Sequence, residues 1–133
     1  MNAGRIREKA YAAAQSAMRA CRSRPGLGRA WNARDLEHVL TLYDDAAEMT
    51  SDRIPAMGFD ASGTVRGKDA LRAYWGKALG LLPNLHFELI EFFVSPDSVV
   101  VLYENERGKR ICEYLRVNAA GKIVQGSANH PVG

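Results

Sequence analysis

The chain has 133 residues, of which 47% are apolar and 25% carry a charge, and its net charge is +3. This length and composition are typical of a globular protein with a hydrophobic core, and we expect one domain over residues 1–133. No apolar run approaches the ~18–20 residues that cross a bilayer, and no secretory segment is evident, so we expect neither a membrane protein nor a secreted one and favour the cytoplasm.

The first predicted element is a basic helix over about residues 4–22, which Pro25 and its neighbouring glycines end. Residues 1–30 hold seven basic residues and one acidic residue, a net charge of +6. Such a segment could contact nucleic acid or acidic lipid, or it could be the solvated side of a surface helix. Because aromatic residues do not alternate with the bases, we favour the second interpretation. We therefore treat residues 1–29 as a basic N-terminal helix and linker, and expect no nucleic-acid partner and no membrane partner.

A second helix and a first strand follow. Asp35 is placed to cap a helix whose apolar residues recur at helical spacing. The stripe is formed by Leu36, Val39, Leu40 and Tyr43. From residue 46 the apolar period changes to two, which predicts a strand. Its buried face carries Ala47, Met49 and Ser51.

A polar loop over residues 52–67 leads to a third helix, predicted over residues 68–82. The apolar face of this helix is formed by Leu71, Tyr74, Trp75, Ala78 and Leu82. Four strand-like runs with short turns between them complete the chain, at residues 85–94, 98–106, 110–118 and 122–130. Helices followed by an antiparallel meander predict an α+β domain.

Three stretches resemble the nuclear transport factor 2-like superfamily, in its SnoaL-like branch. They are WNARDLEHVLTLYDDAAEMTS at residues 31–51, VRGKDALRAYW at 65–75 and VNAAGKIVQGSA at 117–128. The resemblance covers about residues 30–130 and implies a cone-shaped, curved antiparallel sheet wrapped around about three helices, with a pocket between them and usually a dimer. This fold hosts isomerases, cyclases, dehydratases and non-catalytic binding modules, so the resemblance predicts the fold more sharply than the function.

The resemblance also implies positions in this sequence for the catalytic residues of related enzymes. The ketosteroid isomerases of this superfamily use a general-base Asp, an oxyanion-hole Tyr and a proton-donating acid, which fall on Ser51, near Leu27 and on Glu113. Only Glu113 keeps the required chemistry, because Leu27 cannot donate a hydrogen bond and Ser51 is a poor base. The sequence therefore argues against a steroid isomerase.

The pairing of the last strands follows from the turns between them. A two-residue turn at Arg107-Gly108 would pair Leu102 with Glu113. A tight turn at residues 118–121 would pair Glu113 with Gly126, a glycine that leaves room above the sheet. This register is a hypothesis, since a slip of one residue exchanges the two faces of a strand.

In this register Glu104, Glu113 and His130 share the concave face with Leu102. Glu113 is then an acid among apolar neighbours, and it is either a pocket acid with a raised pKa or a structural acid paired with a tyrosine or an arginine. Glu104, diagonally across, would raise that pKa further. His130 would lie four residues along, about 13 Å away at ~3.3 Å per residue, so it forms no direct dyad with Glu113.

The predicted function is the binding of a small apolar or oxygenated organic ligand, with proton transfer of the isomerase, cyclase or dehydratase type as its catalytic form. The alternative is a non-catalytic ligand-binding or dimerisation module. The candidate catalytic residues are Glu113 and Ser51, and the candidate ligand-binding residues are Trp31, Met49, Tyr74, Trp75, Leu102, Glu104 and His130.

Two further expectations concern partners and metals. The outer sheet face, expected to carry Val99, Val101, Tyr103, Cys112 and Tyr114, is apolar enough to predict a homodimer. Cys21 and Cys112 lie far apart and in no metal-ligand spacing, which predicts free thiols, and no histidine motif suggests a metal site. We expect no metal and no cofactor.

Overall fold

The computed structural model describes residues 35–132. The helices are α1 (Leu36–Thr41), α2 (Arg53–Ala56) and α3 (Lys68–Leu81). The strands are β1 (Tyr43–Ser51), β2 (Thr64–Arg66), β3 (Glu88–Val94), β4 (Ser98–Glu104), β5 (Arg110–Val117) and β6 (Ile123–Asn129). The predicted basic helix, Cys21, Leu27 and Trp31 lie outside the described residues.

The six strands form one sheet in the order β2-β1-β6-β5-β4-β3. Strand β1 runs parallel to β6, and every other neighbouring pair is antiparallel. Helix α3 packs against β1, β2 and α1 on one side of the sheet, so the core lies between this helix and the concave sheet face. The predicted α+β fold with a curved sheet wrapped around helices is confirmed.

Helix α1 begins where the sequence predicts and ends earlier. The backbone N–H of His38 donates to Oδ1 of Asp35 over 3.2 Å, which is the expected N-terminal cap. The helix stops at Thr41, so Tyr43 is the first residue of β1 and not the last turn of a helix. Tyr43 nevertheless faces the core, where it is 1% exposed.

Helix α3 and strand β1 bury the residues that their periodicity indicates. Leu71, Tyr74 and Trp75 are buried on α3, and the ring of Trp75 meets the edge of the Tyr43 ring with centroids 4.9 Å apart. Two short elements, α2 and β2, interrupt the predicted loop over residues 52–67. Both are too short for a hydrophobic period to be read from the sequence.

The turn between β4 and β5 differs from the prediction. Asn105 pairs with Lys109 through a backbone N–H that donates to a carbonyl over 2.9 Å, leaving a three-residue loop whose last residue, Gly108, has φ +72°. The Asn105 side-chain oxygen accepts from the backbone N–H groups of Arg107 and Lys109, which fixes this loop. The predicted two-residue turn is therefore wrong by one residue.

This shift of one residue reverses which residues of β4 lie on the concave face and which lie on the outer face. Tyr103 pairs with Ile111, Val101 with Glu113, and Leu102 with Cys112. The predicted pairing of Leu102 with Glu113 is wrong, and so is the prediction that Leu102 and Glu104 share the concave face with Glu113. Val99, Val101 and Tyr103, predicted on the outer face, are buried on the concave face.

The turn between β5 and β6 repeats the same pattern without exchanging faces. Asn118 pairs with Lys122, and the Asn118 side chain accepts from the backbone N–H groups of Ala120 and Lys122. A bulge then follows next to Val117, so the total slip is two residues and Glu113 pairs with Ala128. The expected pairing of Glu113 with Gly126 is wrong, but the concave face of β5 was predicted correctly because the error is an even number.

Among residues 35–132, no helix combines the length and the apolar character that crossing a membrane requires.

Candidate functional site

A cavity of about 120 Å³ opens between α3, the concave face of the sheet and the segment at residues 82–87. It is smaller than the ~300–1,000 Å³ of typical ligand pockets. Its apolar wall includes Met49, Met57, Trp75, Leu82, Leu85 and Phe87. Its polar lining includes Ser51, Tyr74, Tyr103, Glu113 and His130, with Arg53, Asn105, Glu106 and Arg107 completing the set.

The structure brings most of the predicted site residues together. Glu113, Ser51, Met49, Tyr74, Trp75 and His130 all line the cavity. Leu102 and Glu104 do not line it, because the observed register directs both to the other face of β4. Trp31 lies outside the described residues, so its predicted place beside the pocket is not described.

Glu113 is the acid at the centre of this arrangement. It lines the cavity and hydrogen-bonds the side chain of Tyr103. Burial raises the pKa of Glu113 to about 7, and the Tyr103 hydroxyl, which donates to the carboxylate, limits that rise. Among residues 35–132, no basic side chain forms an ion pair with Glu113. The partner in the described part of the chain is thus a tyrosine and not an arginine.

Glu113 is partly accessible to solvent. Its side chain has intermediate exposure, and it is one of the residues that line the cavity. We infer that its accessible surface faces the cavity, because its strand neighbours Ile111 and Leu115 on the same face are buried. The carboxyl is therefore available to a molecule in the cavity while it remains remote from bulk solvent.

Two more phenols lie within electrostatic range of Glu113. Burial raises the pKa of Tyr43 well above its ordinary value, and the charge of Glu113 adds to the effect. The pKa of Tyr74 is raised chiefly by burial, with a small contribution from Glu113, while a hydrogen bond with Ser51 opposes the rise. The surroundings of Glu113 therefore include three phenols, of which Tyr103 and Tyr74 line the cavity.

Ser51 is buried, with 4% of its surface exposed, and its hydroxyl already has partners. Its Oγ accepts from the backbone N–H of Arg53 over 3.1 Å, and the same side chain hydrogen-bonds Tyr74. These contacts hold Tyr74 in the cavity wall, where the edge of its ring also meets Phe59 at 5.6 Å between centroids. The geometry gives Ser51 a positioning function for Tyr74.

Met49, which lines the cavity, packs against Gly126. Gly126 pairs with Leu115 on one side and with Met49 on the other. A Cβ added at Gly126 would lie 2.8 Å from Sδ of Met49, which is closer than real carbon atoms approach. The room that this glycine leaves is therefore filled by methionine.

His130 lines the cavity beside the end of β1. Its Nδ1 lies 2.8 Å from Oδ1 of Asp52, although the two atoms are not aligned as a hydrogen bond. They meet because the parallel pairing of β1 with β6 places Ser51 beside Ala128, one and two residues before them. His130 is also nearer to Glu113 than expected, since it lies only two residues beyond the partner of Glu113, Ala128.

The residues that the sequence reasoning missed include Tyr103 and Asp52. Tyr103 was assigned to the outer face through the turn error, and the signal that could have corrected it is present in the sequence. Asn-x-x-Gly-Lys occurs at residues 105–109 and again at 118–122, and an Asn followed by Gly three positions later fits a three-residue loop with a left-handed glycine. The contact of Asp52 with His130 depends on a long-range strand pairing and has no local signal.

Within residues 35–132, no group of three or more His, Cys, Asp or Glu side chains could hold a metal ion. Cys112 is a free, exposed cysteine on the outer face of β5.

Comparisons with known proteins agree with this architecture. A SnoaL-like protein of unknown function from Burkholderia thailandensis is 36% identical, with a TM-score of 0.73 over 77% of this chain and 86% of the other. An NTF2-like protein of unknown function from Burkholderia pseudomallei is 19% identical, with a TM-score of 0.69 over 90% of each chain. TerC, co-crystallised with polyporic acid, is 16% identical, with a TM-score of 0.68 over 90% of this chain and 91% of the other. The likeness to the last two proteins, at 19% and 16% identity, shows the fold alone.

No curated protein matches the sequence closely enough to be counted as a relative. The sequence model of the SnoaL-like domain family matches residues 27–126, which is most of the chain. The chain therefore belongs to the SnoaL-like domain family.

Proposed function

We propose that the cavity binds a small apolar ligand carrying an oxygen atom, and that Glu113 exchanges a proton with that oxygen. The observation that carries this proposal is the acid itself, a carboxyl with a pKa of about 7 on the wall of a largely apolar cavity, which has no ion-pair partner among residues 35–132. A carboxyl that titrates near neutral pH can donate a proton or accept one in the same site.

The surroundings of the carboxyl favour an oxygen atom over a cation as its partner. Tyr103 already donates to the carboxylate, and the nearby Tyr43 and Tyr74 are neutral phenols. Protonated Glu113 would donate to a carbonyl or phenolate oxygen and stabilise negative charge that develops there. This is the chemistry of isomerisation and of related proton transfers.

The size of the cavity limits the ligand. At about 120 Å³ it suits a small planar molecule, or one end of a larger molecule. Trp75, Phe87 and Met49 supply flat or adaptable apolar surface for such a molecule.

A binding experiment with 4-nitrophenol tests this proposal, because this small phenol ionises near neutral pH and its phenolate absorbs visible light. We expect the wild-type chain to bind it and to shift its absorbance. Glu113→Met keeps a similar side-chain length without a polar head, and should weaken binding by tenfold or more, since a hydrogen bond to a charged group contributes about 1.5–3 kcal/mol.

Glu104→Met is the matched control, because it makes the same change on the outer face of the neighbouring strand. Its affinity for 4-nitrophenol should equal that of the wild type. Equal affinities for Glu113→Met and Glu104→Met would refute the role of Glu113, and an absence of binding by the wild type would refute the proposed function.

A second proposal concerns the outer sheet face, which we propose is a homodimer interface. Leu102 and Tyr114 lie on that face, and so does Phe93 of β3, which exposes 52% of its surface. Apolar side chains this exposed on one face of a sheet are a common feature of protein interfaces. The cavity lies on the concave face of the sheet and the proposed interface on the other face, so dimerisation and ligand binding are compatible.

A further inference from the structure

We propose that Glu106 determines the specificity of the cavity by binding a hydroxyl group at the end of the ligand remote from Glu113. This inference rests on the proposed function, which places one oxygen atom of the ligand at Glu113. It narrows the ligand class from oxygenated molecules in general to molecules with an oxygen atom at one end and a neutral hydrogen-bond donor at the other.

The first observation is an unpaired carboxylate oxygen on the cavity wall. The Glu106 side chain is 16% exposed and lines the cavity. Its Oε1 is buried, and no donor in the described part of the chain hydrogen-bonds it. Folded proteins pair nearly all of their buried polar atoms, because an unpaired one is costly. The unpaired oxygen of a residue on the cavity wall is therefore a place for a donor on a bound molecule.

The second observation is that the neighbouring groups do not complete this pairing. Nε of Arg107 lies 3.8 Å from the other carboxylate oxygen, Oε2, which is beyond hydrogen-bond distance, and the Arg107 side chain is 62% exposed. An exposed ion pair of this kind contributes little to stability. The side-chain oxygen of Asn105, which also lines the cavity, accepts from the backbone N–H groups of Arg107 and Lys109. Glu106 thus offers an acceptor that the loop itself does not use.

The third observation is the position of Glu106 relative to Glu113. Asn105, the residue before Glu106, pairs with Lys109 next to the start of β5. Lys109 lies four residues before Glu113, which is about 13 Å at ~3.3 Å per residue along a strand. Ile111, halfway between them, lines the cavity with an apolar side chain. A ligand that contacts both acids therefore needs polar groups at two separated ends and an apolar middle.

The loop holds the backbone of Glu106 in place, so only its carboxylate has to move. The Asn105 side chain and the left-handed Gly108 fix the loop. The last torsion of a glutamate side chain is soft, and rotation about it turns Oε1 towards a donor in the cavity. A fixed backbone with an adjustable head keeps the entropy cost of binding low.

The charges around Glu106 favour a hydroxyl group over a charged group on the ligand. Arg53 and Arg107 both line the cavity, so an ammonium group would meet like charge there. A carboxylate group on the ligand would be repelled by the carboxylate of Glu106 itself. A hydroxyl group donates a hydrogen bond and adds no charge.

Four phenols that differ only at the end of a short side chain test the inference. They are 4-propylphenol, 4-(2-hydroxyethyl)phenol, tyramine and 4-hydroxyphenylacetate, which end in a methyl, a hydroxyl, an ammonium and a carboxylate group. The phenol end is common to all four and faces Glu113 under the proposed function. Titration calorimetry should show that the wild-type chain binds 4-(2-hydroxyethyl)phenol most tightly of the four.

Glu106→Met keeps a similar side-chain length and removes the acceptor. It should lower the affinity for 4-(2-hydroxyethyl)phenol by about tenfold or more, the usual contribution of a hydrogen bond to a charged group. Its affinity for 4-propylphenol should change little, which also shows that the cavity is intact. A hydroxyl group that made no contact with Glu106 would lose nothing in this variant.

Three further variants separate the two ends of the ligand. Glu106→Gln keeps an acceptor and should retain part of the preference for the hydroxyl group. Glu104→Met is the matched control on the outer face of β4 and should behave as the wild type. Glu113→Met should weaken the binding of all four phenols alike, because it acts on their common end.

Tightest binding of any other member of the series would overturn the inference, and so would a Glu106→Met variant that keeps the wild-type preference for the hydroxyl group. If Glu106→Met binds neither compound, Glu106→Gln decides, because a reduced preference supports the inference and an unchanged preference overturns it. In these cases binding of 4-nitrophenol by the wild type leaves the proposed function standing. Failure of the wild type to bind 4-nitrophenol would refute the proposed function, and this inference with it.

Discussion

We compare the stability of Glu113→Gln with that of the wild type at two pH values. The variant should gain stability relative to the wild type between pH 5 and pH 8. In the native state burial raises the pKa of Glu113 from 4.5 to about 7. Between these two values the folded chain binds a proton that the unfolded chain releases, so stability falls as the pH rises. The contribution of Glu113 is fully present below pH 4.5 and is lost as the pH passes through about 7.

The size of the effect follows from the pKa values. One pKa unit corresponds to about 1.4 kcal/mol, so the full displacement is worth at most about 3 kcal/mol. Because the carboxyl is partly accessible from the cavity, we expect about 1–3 kcal/mol between pH 5 and pH 8. Glutamine keeps the shape and an acceptor for Tyr103 but does not titrate, so the variant should escape this loss.

Thermal or denaturant unfolding at pH 5 and pH 8 measures the difference. The melting temperature of Glu113→Gln relative to wild type should rise between the two pH values, by several degrees at about 3–6 °C per kcal/mol for a chain of this size. Glu104→Gln, on the other face of the neighbouring strand, is the control and should show no such difference. If Glu113→Gln lost more stability at pH 8 than at pH 5, the ionised carboxylate would be a structural partner and the reasoning would fail.

Three further predictions concern the cavity wall, the contact of Met49 with Gly126 and the outer face. Tyr103→Phe removes a donor to Glu113, so it should raise the pKa of Glu113 further and cost about 1–3 kcal/mol more at pH 8 than at pH 5; a lower titration midpoint by carboxyl NMR would contradict this. Gly126→Ala forces a contact that displaces the flexible Met49 side chain, and should destabilise the chain by about 1 kcal/mol in denaturant unfolding. Gly80→Ala, where nothing lies within 4 Å of the added carbon, should instead stabilise α3 by up to about 1 kcal/mol, and equal effects of the two changes would be inconsistent with the packing. Light scattering should give the wild type twice the chain mass of 14.6 kDa and Phe93→Lys a single chain mass, whereas a monomeric wild type would exclude the proposed interface.

The fold was predictable where the signal is local. The buried faces of α3 and β1 follow from periods of 3.6 and two residues, and the observed burial of Tyr74, Trp75 and Met49 agrees with them. The place of Glu113 on the concave face was predicted as well, because the loop and the bulge between β5 and β6 together shift that register by an even number of residues. Short elements such as α2 have no period to detect.

The site was only partly predictable, because it depends on register and on long-range pairing. One residue in the β4–β5 loop decides whether Tyr103 or Leu102 faces Glu113, and the choice is made by the Asn105 side chain and the left-handed Gly108. The meeting of Asp52 with His130 requires β1 to lie parallel to β6, which no local pattern indicates.

A crystal structure of the protein soaked with 4-nitrophenol would test the central claim most directly. The account predicts the ligand in the cavity, with its phenolic oxygen within hydrogen-bond distance of the Glu113 carboxyl, about 2.5–2.8 Å, and its ring against Trp75 or Phe87. A ligand bound on the outer sheet face, or in the cavity with its oxygen directed away from Glu113, would contradict it.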